Sequence, residues 1–223
     1  MEQLFIQEFT EKTKLNYQSV AKYLEPKADH FLSLSSIRLE ILKSLMLELF
    51  QVSIFATNHF LERLIKLALI QKYTLGVNYS KPDLYNKLTA EAVTKYDGVV
   101  LSTSLKLALE EGLLIQKEFD ELEAARKNIR NPYSHAETKE IIKEAPTKFT
   151  GFMFSFEEVK NNLKTGQPIK PGVKTEITTL SSTFSQLYQQ EFSRDIALSY
   201  FDLVFKCMLS INRKLDLFSA ATR

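Results

Sequence analysis

The chain is short of the residues that punctuate structure. Six glycines and six prolines are spread over 223 positions, which favours long regular elements over a loop-rich β protein. There is a single cysteine, Cys207, which excludes an internal disulfide and a cysteine-based zinc site. Its setting, FDLVFKCMLS, is strongly apolar, so the thiol reads as a small buried hydrophobe rather than a nucleophile. Tryptophan is absent, and sixteen Phe and nine Tyr supply the aromatic bulk. The formal charge is only +2. A broad basic footprint is therefore missing, although a local patch would suffice for nucleic acid. No uninterrupted apolar run reaches the roughly 18 residues of a membrane span. The opening MEQLFIQEFTEK lacks the basic start and apolar centre of a secretory leader. The expectation is a soluble, cytoplasmic protein that does not engage a membrane.

What is present is enough for a sizeable core, with 44% apolar and 25% charged residues at the averages of globular domains. Apolar positions in 2–24 recur at helical spacing until Pro26. Residues 35–75 carry the strongest signal: Ile41, Leu45, Leu49, Val52, Ala56, Phe60, Leu64 and Leu67 step by three or four. That pattern predicts one helix of about 40 residues, or two nearly collinear ones, capped by Ser35 or Ser36 and closed by Gly76. Further helices are predicted from Pro82 to about Lys95, from Ser102–Ser104 to near Gly112, over 116–130, and over 193–218. The last has an apolar face running Ile196, Tyr200, Phe201, Val204, Phe205, Met208, Ile211 and Leu215.

From Glu144 to about Lys174 lie half of the glycines and prolines. This segment, taken out to residue 192, reads as a loop-rich insertion with one short helix, since Ser155 and Glu158 form a capping box. TKFTGFMFSF within it has the alternative reading of a strand. The whole is predicted as a single all-α domain, a helical bundle over 1–223.

The stretch ARKNIRNPYSHAE, 125–137, gathers groups with chemistry. In an unbroken helix Arg130 and His135 would stand about 140° apart. Pro132 intervenes, and asparagine before proline is a good helix start. The expectation is a break, with one helix ending near Arg130, Asn131 as cap, and a second helix from Pro132. A bend there would let Arg130 and His135 face one cleft. Histidine exchanges a proton near neutral pH, and arginine offers forked donors to phosphate oxygens. Arg126 and Lys127 add cations nearby, and Tyr133 offers a face for base stacking or a hydroxyl. These are parts for phosphodiester cleavage without a metal or cofactor. The plainer reading of the same residues is a helix end with solvated charges.

RNPYSH resembles the motif of the HEPN superfamily (higher eukaryote and prokaryote nucleotide-binding domains): an arginine and a histidine separated by four to six residues, the first of them often Asn, His or Asp. Here the match is Arg130, Asn131 and His135. FATNHFLERLIKLALI, 55–70, is similar to the long second helix of such domains, which often places a polar residue near the motif; Asn58, His59 and Glu62 are the candidates. His59 itself, among Phe55, Phe60 and Leu61, reads as a structural histidine. The resemblance implies an all-α HEPN-like bundle and a metal-independent endoribonuclease that cuts RNA by attack of the 2′-hydroxyl. Arg130, Asn131 and His135 would be catalytic, with Tyr133, Arg126, Lys127, Asn58 and Glu62 supporting. It implies a homodimer with a composite site, a toxin or phage-defence role, and in some systems an antitoxin partner. Some members have lost catalysis and serve as nucleotide-, RNA- or protein-binding modules. Three scattered histidines and no close carboxylate pattern give no metal site.

Overall fold

The computed structural model describes residues 2–77, 82–134, 148–168, 172–178 and 182–221. Those residues are predominantly helical, in the order α1 (Glu2–Val20), α2 (Ser35–Met46), α3 (Phe50–Thr74), α4 (Pro82–Tyr96), α5 (Leu101–Glu110), α6 (Gln116–Ala125), a π-helical turn (Arg126–Arg130) and α7 (Asn131–Ser134). Then come β1 (Lys148–Met153), α8 (Phe156–Thr165), β2 (Val173–Thr178) and α9 (Ser182–Ala221). Short 3-10 segments, Ala21–Tyr23 and Asp29–Leu34, link α1 to α2. Among the described residues, no helix is long and apolar enough to cross a membrane.

The centre of the molecule is the pair α3 and α9, which pack along each other. α3 buries Ile54, Phe60, Leu61, Leu64, Ile65, Ala68 and Leu69. Opposite them α9 buries Phe201, Val204, Phe205, Met208, Ile211 and Leu215, each large side chain contributing on the order of 1.5–3 kcal/mol. The predicted apolar face of the last helix is thus the core face, and Cys207 lies within it. Lys214 Nζ of α9 reaches Glu118 Oε2 of α6 at 2.7 Å, which ties the sixth helix to the same pair.

Three expectations are corrected. The 35–75 segment is neither one helix nor two collinear ones. The chain turns at Leu47–Leu49, where Glu48 takes a left-handed φ of 60°, and α3 folds back on α2, so that Arg38 and Phe60 line one cavity. The three-and-four stepping ran across this turn, which is why Leu49 and Val52, on its far side, are exposed while Ile54 and Leu61 are buried. The last helix starts at Ser182, eleven positions before the expected 193.

Residues 144–192 are not simply irregular either. β1 and β2 pair antiparallel, Lys148 opposite Thr178 and Met153 opposite Val173, and α8 connects them. Ser155 caps α8, its hydroxyl accepting from the Glu158 amide at 3.4 Å. Gly172 is required by close approach: a Cβ there would stand 2.7 Å from the Met153 carbonyl oxygen.

Candidate functional site

The segment that carries RNPYS does not break at its proline. Ala125, Arg126 and Asn131 all keep right-handed helical dihedrals. The anticipated extended cap at Asn131 is therefore absent. The reason lies one turn earlier. Proline has no N–H to give and its ring crowds the carbonyl four residues back. Widening the preceding turn to five residues relieves this: the Asn131 amide bonds to the Arg126 carbonyl, a π-type bond. One residue is absorbed as a π-bulge, a feature that occurs often at functional sites, and the helix resumes as Asn131–Ser134.

The π-turn sets which side chains face which way. Arg130, at its end, is partly exposed. Its Nη2 donates to Glu62 Oε2 of α3 at 3.2 Å, and its Nη1 donates to the Asn131 side-chain oxygen at 3.3 Å. Glu62 also holds Lys66 at 3.1 Å. Burial alone would raise the Glu62 carboxyl, but Lys66 and then Arg130 outweigh it and hold it below the usual carboxylate range. Asn58, one turn before Glu62, is buried; its amide nitrogen stands 3.5 Å from the Ser134 hydroxyl, the outer limit of a hydrogen bond. Tyr200 of α9 donates to the Asn58 side-chain oxygen at 2.9 Å, and burial pushes its phenol well above the ordinary value. Residues from α3, the π-turn, α7 and α9 thus meet at one place.

Other predicted participants are elsewhere. Tyr133 is 4% exposed and its hydroxyl is hydrogen-bonded to the buried Ser193 at 2.8 Å. Its ring is edge-on to Phe55. It is a core residue, not a stacking platform, because resumption of the helix after the π-turn turns it inward. Arg126 is clamped by Glu123 through two 2.7 Å bonds. The same carboxylate draws Lys127 to 3.5 Å, although Lys127 remains 62% exposed. Arg126 and Lys127 therefore do not converge with Arg130. His59 is exposed, not a core histidine. His135 lies outside the described residues. Among the described residues no group of three or more His, Cys, Asp and Glu side chains is placed to hold a metal ion.

Four participants were not foreseen: Lys66, Ser134, Ser193 and Tyr200. Tyr200 reads in sequence as one more member of an apolar stripe. The available signal is that Ser193 and Tyr200 are two turns apart, so their hydroxyls share a face of α9. Buried polar groups need partners, and here those partners are Tyr133 and Asn58. The arrangement can present one oriented guanidinium, backed by a carboxylate and an amide, to an anion. Comparison with protein-family models, with curated proteins and with solved structures finds no match to this chain.

Proposed function

We propose that the protein is a HEPN-type endoribonuclease that cleaves RNA without a metal, working as a homodimer in the cytoplasm. The observation that supports this reading is the meeting of Arg130 with Glu62, residues 68 positions apart, beside Asn131 and Asn58. Two residues of the short motif, Arg130 and Asn131, are neighbours in space of polar side chains of the long helix, an arrangement that supports a site of this kind. In the proposed reaction the 2′-oxygen of the substrate ribose attacks the adjacent phosphorus. The P–O5′ bond breaks, leaving a 2′,3′-cyclic phosphate and a 5′-hydroxyl. His135 takes the 2′-hydroxyl proton, and a second proton must reach the departing 5′-oxygen; in a composite site the partner subunit's His135 supplies it. Arg130 stabilises the added charge on the phosphorane oxygens. Glu62 and Asn131 hold the guanidinium in one orientation, so little rotamer freedom is lost when the phosphate arrives. At the Arg130 cluster two cations, Arg130 and Lys66, stand against one carboxylate, Glu62. This is a modest local positive balance in a nearly neutral chain, suited to RNA. A toxin or phage-defence role, with an antitoxin as partner, is consistent with such an activity.

The test is cleavage of a mixed RNA substrate, with and without EDTA, by the wild type, Arg130→Ala and His135→Ala. Expected is EDTA-resistant cutting by the wild type and a loss of about 10²–10³-fold in each variant. Failure of the wild type to cut, or equal cutting by the variants, defeats the enzymatic reading. One observation favours a second reading, a non-catalytic nucleotide- or RNA-binding module: Arg130 is already neutralised by Glu62, and a phosphate must compete for it. That reading predicts RNA binding without turnover, weakened by Arg130→Ala.

A further inference from the structure

On the other side of α3 from Arg130 lies a different cation. Arg38, in the first turn of α2, is only 8% exposed. Its Nε and Nη1 atoms are buried without any hydrogen-bond partner. A guanidinium cannot discharge itself by losing a proton; burial lowers its pKa from the ordinary value but leaves it a cation at neutral pH. An unpaired buried charge is among the costliest features a fold can keep. Arg38 lies against a cavity of about 30 Å³. Phe31, Leu34, Phe60 and Met208 give it apolar walls, Ser35 adds a hydroxyl, and the exposed Leu32 stands at its edge. A low-dielectric wall strengthens the pull of the charge on whatever enters.

We propose that this cavity is a binding site for one compact oxyanion, a carboxylate or a phosphoryl group, held by the Arg38 guanidinium and the Ser35 hydroxyl. Size sets the class. A single water needs about 10–15 Å³ on this scale, so the cavity has room for an anionic head and not for a base or a sugar. Charge sets the sign, because two N–H donors of a fixed cation stand without an acceptor. The planar fork of arginine matches both carboxylate and phosphate. The site shares no residue with the Arg130 cluster and stands whether or not that cluster cuts RNA. The two nevertheless share a helix, since Phe60 of the cavity wall sits between Asn58 and Glu62 in sequence and packs on Phe201, next to Tyr200.

The test is isothermal titration of the full chain with inorganic phosphate and, separately, with acetate, at ionic strength fixed by chloride. Wild type, Arg130→Ala, Arg38→Met and Arg38→Lys are compared. Expected is saturable binding of at least one anion in wild type and Arg130→Ala. Tenfold or greater weakening is expected in Arg38→Lys, which keeps the charge and loses the fork, with no binding in Arg38→Met. The phosphate and acetate arms tell a phosphoryl ligand from a carboxylate. Binding that survives in Arg38→Met and vanishes in Arg130→Ala places the anion at the other cluster and overturns the proposal. Absence of saturable binding by either anion to the wild type also overturns it, and leaves water in the cavity. If circular dichroism shows that the Arg38 variants do not fold, selenate soaked into wild-type crystals decides. Anomalous density within hydrogen-bonding reach of the Arg38 guanidinium supports the site, and its absence there defeats it.

Discussion

Helices α1 and α3 look alike in sequence and differ completely in place. Both show apolar residues at helical spacing. α3 buries ten residues, three of them the polar Ser53, Thr57 and Asn58. α1 buries only Val20 at its end, and Leu4, Phe5, Ile6 and Leu15 are all more than half exposed. Periodicity therefore reports the tendency to form a helix, and not whether the chain supplies a partner for its apolar face. The polar residues make the sharper distinction. In α3 they are matched one by one: Thr57 to the Ser53 carbonyl, Ser53 to the Phe50 carbonyl, Asn58 to Tyr200.

The largest effect is expected at the centre. Phe201 is fully buried and touches the rings of Tyr23, Phe60 and Phe205. Phe201→Ala should cost about 3–5 kcal/mol, read from the urea midpoint at unchanged slope.

Next comes the joint between the two regions. Asp202 of α9 accepts from Tyr23 at 2.6 Å and Lys22 at 3.1 Å, just beyond α1, and pairs with Lys206 at 2.6 Å. Burial alone would raise this carboxyl, but Lys206, Tyr23 and Lys22 bring it down to about 2. A depressed folded pKa gives stability that is complete above the unfolded value of about 3.9 and is lost as pH falls through about 2. Asp202→Asn should therefore cost about 2 kcal/mol at neutral pH. The gap from wild type should close between about pH 4 and pH 2 in a series of denaturation curves. A gap unchanged across that range would mean that packing, and not charge, makes the joint.

Tyr200→Phe leaves the buried Asn58 oxygen without its donor and should cost on the order of 1.5 kcal/mol. The smallest effect belongs to α1: Leu15→Ser, on an exposed face, should change stability by less than about 0.5 kcal/mol. A larger loss by the same denaturation measurement would show that this face is covered in solution and would erase the contrast with α3.

How much of this was legible beforehand follows the same division. Local signals served well. Pro82 opens α4, Ser155 caps α8, and the stripe through Val204 and Ile211 faces the core. The turn at Glu48 was not legible, because it carries neither glycine nor proline; a glutamate sits in the left-handed region, its carboxylate facing Lys12 at 3.4 Å. The β1–β2 pair depends on partners separated by a helix, and only the first strand left a hint. At the candidate site, the proximity of Glu62 to Arg130 is long-range and was suggested only by resemblance. The inward turn of Tyr133 depends on a π-bond that no periodicity announces.

That π-turn has one more consequence. The direction of the side chains from Asn131 to Ser134 is set by the number of residues spent between Ala125 and Pro132, more than by their identity. Removing one residue there would restore ordinary winding and swing Tyr133 about 100° away from Ser193. The segment should therefore tolerate substitutions at exposed Lys127 far better than any change in its length. In this stretch the chain keeps count, and the inward placement of Tyr133 against Ser193 depends on the count being right.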